Sequence, residues 1–164
     1  MWHLYNWLGR AANRSLWFIF RVSPQPLPRV RIAVICEGQI LLVKPWFSRQ
    51  VWSLPGGGAK LHESLTIAAM RELNEETGIS VSAGELHDAG VVMSDEGYAK
   101  FRVHCFVAYI SASKARQLRT TDAELIATAW HPLRALPHDR VHFIDYIIED
   151  TLAARATAPY TVQR

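Results

Sequence analysis

Hydrophobic residues recur along this chain with two different periods, and the alternation between them places its elements. Residues 1–22, MWHLYNWLGRAANRSLWFIFRV, put Leu4, Trp7, Leu8 and Ala11 at helical spacing and predict a helix. Three prolines in SPQPLPR then break regular structure, separating an amino-terminal amphipathic arm (1–27) from a main domain (28–157) and a short tail (158–164). VRIAVICEGQILLVKP reads as two strands joined by a tight turn at Glu37-Gly38, and VWSLPGGG as a short strand running into a glycine loop. SLTIAAMRELNEETG predicts a helix closed by Gly78, with Ile67, Met70 and Leu73 as its apolar stripe. HDAGVVMS, KFRVHCFVAYI and LIATAWHPL have strand character, SASKARQLRTTDAE is polar, and RVHFIDYIIEDTLAARA returns to the helical period. Strands interrupted by two helices predict an α/β (α+β) domain, a mixed sheet packed between helices.

Composition narrows the class. With 164 residues, about half of them hydrophobic and one fifth charged, the chain is long enough for one domain with a sizeable core. The net charge of +3 is unevenly placed: five arginines and no acid fall within the first 36 residues. The basic balance therefore belongs largely to the arm and does not predict a nucleic-acid groove. Cys36 and Cys105 lie in apolar, strand-like runs without ligand spacing and read as small core residues in a reducing compartment. No apolar run approaches the roughly 20 residues of a membrane span, and early arginines interrupt any secretory core, so the expected location is cytoplasmic.

The most informative stretch is RELNEETGI, residues 71–79. Residues advance about 100° each around a helix, so Glu72, Glu75 and Glu76 share one face. They repel one another at i,i+3 and i,i+4 spacing and sit near the negative end of the helix dipole. Arg71 alone cannot neutralise three carboxylates, whereas a divalent cation can. Hard oxygen donors without a Cys or His partner select Mg²⁺ or Mn²⁺. A solvated acidic face is the alternative for the turn taken alone.

The wider pattern decides between them: Gly57, five residues, Glu63, seven residues, Arg71-Glu72-Leu73, one residue, Glu75-Glu76, one residue, Gly78-Ile79. This resembles the signature of the Nudix hydrolases at every position, and WSLPGG, ILLVKP and ELIATAW around it look like further elements of that family. The resemblance implies a Nudix-like mixed β-sheet sandwiched between helices. It also implies metal-dependent hydrolysis of a nucleoside diphosphate linked to a further moiety X. By position, Glu72, Glu75 and Glu76 would be metal ligands, with Glu72 the alternative general base. The Gly57 carbonyl would be a further ligand, Arg71 would fix a neighbouring glutamate, and Glu63 would support the loop or a second metal.

Outside the signature, Glu124 is the first choice for a further catalytic acid, with Asp122, Asp95 and Glu96 as alternatives. Lys44 and Arg102 are the candidates for meeting phosphate; Trp46, Phe47, Tyr98 and Phe101 are candidates for stacking on a base. The histidines read as structural or exposed. The rival to an enzyme is a nucleotide-binding sensor or interaction module, which would usually have lost one of the glutamates present here. The arm, with Trp2, Trp7 and Trp17 beside its arginines, is expected to pack against the domain or a second copy in a homodimer. Peripheral membrane contact is its alternative.

Overall fold

The computed structural model describes residues 28–46, 51–94, 101–120 and 125–149. The arm and the tail therefore lie outside the described residues, as do Phe47, Asp95, Glu96, Tyr98, Asp122 and Glu124. Strands β1 (Arg29–Cys36) and β2 (Gln39–Pro45) form the expected hairpin. Glu37 and Gly38 both take positive φ, 48° and 76°. That geometry matches the twist of a two-residue hairpin. Next come helix α1 (Leu65–Thr77), a 3₁₀ turn (Ala83–Glu85), β3 (Leu86–Ser94) and β4 (Phe101–Tyr109). Helix α2 (Ala112–Ala115), a single turn inside the stretch read as polar, precedes β5 (Leu125–Pro132). A helix over 143–149, α3, ends the described chain.

The five strands form one sheet in the order β3-β4-β1-β2-β5, with β1 and β4 parallel and the other neighbours antiparallel. Alternation sends Val30, Ile32, Val34, Phe106 and Ala108 to one face, where α1 supplies Ala68, Ala69 and Leu73. Ala33, Ile35, Ile40, Leu42, Val103 and Cys105 face the other way, against Phe143, Ile144 and Ile147 of α3. The mixed sheet is thus held between helices, as expected. Both cysteines are buried and free. Among the described residues no helix is long and apolar enough to cross a membrane.

Two expectations need correction. Ile67 is 51% exposed and belongs to no stripe; α1 buries Ala68, Ala69, Leu73 and Thr77. Small alanines let the helix approach the sheet where a larger side chain would hold it off. The VWSLPGGG segment, moreover, forms no regular strand. β1 and β2 pair only beside their turn, at Ile35–Ile40 and Cys36–Gln39, and then diverge. The segment enters the gap: Val43 and Ser53 exchange hydrogen bonds of 2.9 Å, and the Ile32 and Val30 amides donate to Pro55 and Gly57 carbonyls, each at 2.9 Å. This wedge lays the glycines along β1, beneath the end of α1.

Lys114 of α2 ties that turn to the 3₁₀ turn, its Nζ lying 2.7 Å from Glu85 Oε2. The ammonium, helped by the Ser82 amide and hydroxyl, lowers the Glu85 carboxyl to about 2. A depressed carboxyl contributes stability above its unfolded range and loses it as pH falls towards the folded value. Glu85→Gln should therefore cost about 0.5–1 kcal/mol at neutral pH, the range for a solvent-accessible pair. Thermal melts at pH 7 and near pH 2 check this: the gap from the parent protein should close at the acid end.

Candidate active site

Ser64 caps α1 by accepting a hydrogen bond from the Ile67 amide, and Gly78, at φ 71°, ends it with its N–H on the Asn74 carbonyl, 2.9 Å away. Both ends being fixed, the last two turns present Arg71, Glu72, Glu75 and Glu76 in a set direction. Arg71 uses all five of its N–H donors. Nε and Nη2 grip Glu63 at 2.8 and 2.9 Å, Nη2 also reaches the Gly58 carbonyl at 3.0 Å, and Nη1 bridges Glu72 at 2.7 Å and Glu75 at 3.0 Å. The fork holds together the helix, the loop before it and the glycine wedge.

The electrostatics follow from this arrangement. Glu63, bonded by Arg71 and by the Lys60 amide, is held near 2, well below the usual carboxylate range. The same pairing raises Arg71 further above its already high value. Burial pushes the Glu72 carboxyl upward, against the pull of Arg71 and the nearby Arg31. Glu76 accepts a 2.9 Å hydrogen bond from the Gly56 amide. Backbone geometry requires glycine at position 56, while at position 57 a side chain would have to displace the Glu72 carboxylate. Gly56 has φ 138°, and a β-carbon there would overlap the Val30 carbonyl; one at Gly57 would stand 2.6 Å from Glu72 Cδ.

A family model for the NUDIX domain matches residues 26–151, well over half of the chain. The chain belongs to the Nudix hydrolase family. A curated relative from Mycobacterium tuberculosis (strain CDC 1551 / Oshkosh), named "Putative mutator protein MutT4", is 34% identical over 97 residues. That match spans 54% of this chain and only 36% of the relative. The crystal structure of a MutT NUDIX hydrolase from Burkholderia pseudomallei aligns with TM-score 0.60 and 25% identity, covering 74% of this chain and 96% of that one. The NUDIX domain of NrtR from Shewanella oneidensis, complexed with ADP ribose, aligns with TM-score 0.63 and 21% identity over 80% and 88% of the two chains, a likeness of fold.

Within this Nudix domain the structure brings Glu63, Arg71, Glu72, Glu75, Glu76 and Gly57 together. Among the described residues no three acidic, His or Cys side chains converge on a single point. Glu72 and Glu75 turn onto Arg71, and Glu76 onto Gly56. The donor chemistry still suits a hard divalent ion, since every group is an oxygen and the bare Cα of Gly57 leaves room for the Glu72 carboxylate. The other candidates stand apart. Lys44 is paired with Asp139 at 2.7 Å and lies 5.3 Å from the Trp52 ring centroid, on the face opposite α1. Arg102 is exposed and by alternation shares the α1 face; Trp46, at the end of β2, is 48% exposed.

Sequence reasoning missed Arg31. It is only 7% exposed within β1, and its Nη1 donates to the Gly56 carbonyl. The available signal was one charge set inside the apolar run RVRIAVIC.

Proposed function

We propose that this domain hydrolyses a phosphoanhydride bond in a nucleoside diphosphate linked to a further moiety, with Mg²⁺ or Mn²⁺ as its cofactor. The observation that carries the reading is that Glu72 packs against Gly57 and Glu76 accepts from the Gly56 amide, with Arg71 bridging Glu72 to Glu75 on the same helix. Family membership supports the reaction class. The NrtR domain, similar in fold, is complexed with ADP ribose, which supports a ligand of that kind.

Glu72, Glu75 and Glu76, with the Gly57 carbonyl, are the groups that would hold the ion. When bound, the ion supplies charge neutralisation on non-bridging phosphate oxygens and a more acidic water. The protein contributes position: Arg71, gripping Glu63 with two donors, ties the loop to the helix that carries Glu72 and Glu75, and the Gly56 amide fixes Glu76. A carboxylate takes the proton as water adds to phosphorus and the bridging P–O bond breaks: Glu124, the sequence's first choice and outside the described residues, or Glu72 if it serves as base instead of as ligand. The products are a nucleoside monophosphate and the remaining phosphate-bearing fragment. Arg102, exposed on the α1 face, is the described candidate for receiving the substrate's phosphates.

The test is a panel of canonical and oxidised nucleoside triphosphates, ADP-ribose, nucleotide sugars and dinucleoside polyphosphates, assayed for phosphate-bearing products with and without Mg²⁺ or Mn²⁺. Metal-dependent turnover of at least one class is expected. Tight nucleotide binding without turnover across the panel would favour the sensor reading instead.

A further inference from the structure

Arg31 is an expensive residue to place among the otherwise apolar positions 30–36 of β1, because a buried guanidinium must have its donors met. One of its contacts lies across the wedge: Nη1 donates to the carbonyl of Gly56, 25 residues along the chain. That carbonyl belongs to the Gly56–Gly57 peptide. The preceding peptide donates its N–H, that of Gly56, to Glu76 Oε2 at 2.9 Å. The two peptide planes flanking Gly56 are thus held from β1, by Arg31 on one and the Ile32 amide on the Pro55 carbonyl of the other, and from α1 by Glu76. Gly56 is the residue least able to hold such a position by itself, since glycine at φ 138° has no side-chain packing to keep it there.

The consequence reaches both ends of the acidic turn. Rotation about the Cα–C bond of Gly56, which the Arg31 bond to its carbonyl opposes, would swing the Gly57 Cα, which lies so close to Glu72 that an added β-carbon would stand 2.7 Å from either carboxylate oxygen. A linked rotation about its N–Cα bond would turn the Gly56 amide away from Glu76.

We propose that Arg31 is a positioning residue for metal capture: it locks the Gly56–Gly57 peptide so that Glu72 and Glu76 face a common ion. This rests on the metal-dependent reading above, and the test separates the two. Mn²⁺ binding is measured by electron paramagnetic resonance, without nucleotide, on the full chain and on Arg31→Lys and Arg31→Met, each checked for folding by circular dichroism. Lysine keeps the charge without the planar fork, and methionine fills much of the volume without charge. Both variants should bind Mn²⁺ about 10-fold or more weakly, the usual scale for losing a group that orients a ligand. A purely structural role would lower the melting temperature and leave the affinity of the folded fraction unchanged. Folded variants within twofold of the parent Kd would overturn the role of Arg31. Absence of Mn²⁺ uptake by the parent would instead overturn the functional reading.

A second measurement needs no variant. In ¹⁵N-labelled parent protein, Mg²⁺ addition should shift the Gly56 and Gly57 amide resonances in step with occupancy. Binding that leaves both amides unmoved would count against the lock even if neither variant folds.

Discussion

Glu76→Gln is expected to lower kcat by about 10²–10³-fold, the scale on which a preorganised electrostatic group acts at a reacting phosphorus. The melting temperature should barely change. Glutamine has nearly the shape of glutamate, and its amide oxygen can still accept the Gly56 N–H that now reaches Glu76 at 2.9 Å. The glycine wedge therefore keeps its place, and what disappears is one negative charge and one anionic donor for the ion. Glu75→Gln should lower turnover similarly. Glu63→Gln should behave differently, because Glu63 is spent on Arg71 and the Lys60 amide and its loss is felt first in stability. Steady-state kinetics on whichever substrate the panel identifies, paired with thermal melts, separate the cases. Full activity in both Glu75→Gln and Glu76→Gln would contradict their assignment as metal ligands.

The parts of this protein that could be read from its sequence are those whose geometry is local. The hairpin was legible because Gly38 readily takes the positive φ that a two-residue turn needs, which Glu37 adopts beside it. The cap at Gly78 and the shared face of the three glutamates follow from helix geometry alone, whatever packs around it. Long-range choices were not legible. The apolar stripe of α1 was right for Met70 and Leu73 but wrong for Ile67, because Ala68 and Ala69 carry a weak hydrophobic signal although close approach to the sheet needs small residues there. The path of VWSLPGGG between β1 and β2 depends on hydrogen bonds to both strands, which no pattern within eight residues encodes. Lys44 looks from sequence like a cation awaiting phosphate, but its partner, Asp139, is 95 residues away. Arg31 has the same origin: whether a charge in an apolar strand is a defect or an anchor depends on a carbonyl supplied by a distant loop.

Arg71→Ala should be the most destabilising single change in the site. It leaves Glu63 and Glu72, whose side chains are only 11% and 16% exposed, without the cation that holds them. Removing one member of a largely buried ion pair costs about 3 kcal/mol or more, chiefly as the penalty on the charge left behind. For a domain of this size that corresponds to a melting temperature lower by about 6–12 °C. Arg71→Lys should recover only part of it. An ammonium has three donors and no plane, so it cannot take both Glu63 oxygens in parallel while also meeting Gly58, Glu72 and Glu75. Added Mg²⁺ sharpens the test. The guanidinium occupies the space between Glu72 and Glu75, so the alanine variant offers those carboxylates to the ion without a competing cation, and a ligand that binds only the folded state raises its stability. Millimolar Mg²⁺ should therefore raise the melting temperature of Arg71→Ala by more degrees than that of the parent. An equal rise in both would mean that Arg71 does not share its carboxylates with the metal, and an unchanged melting temperature in the variant would mean that its five hydrogen bonds contribute nothing net to the fold.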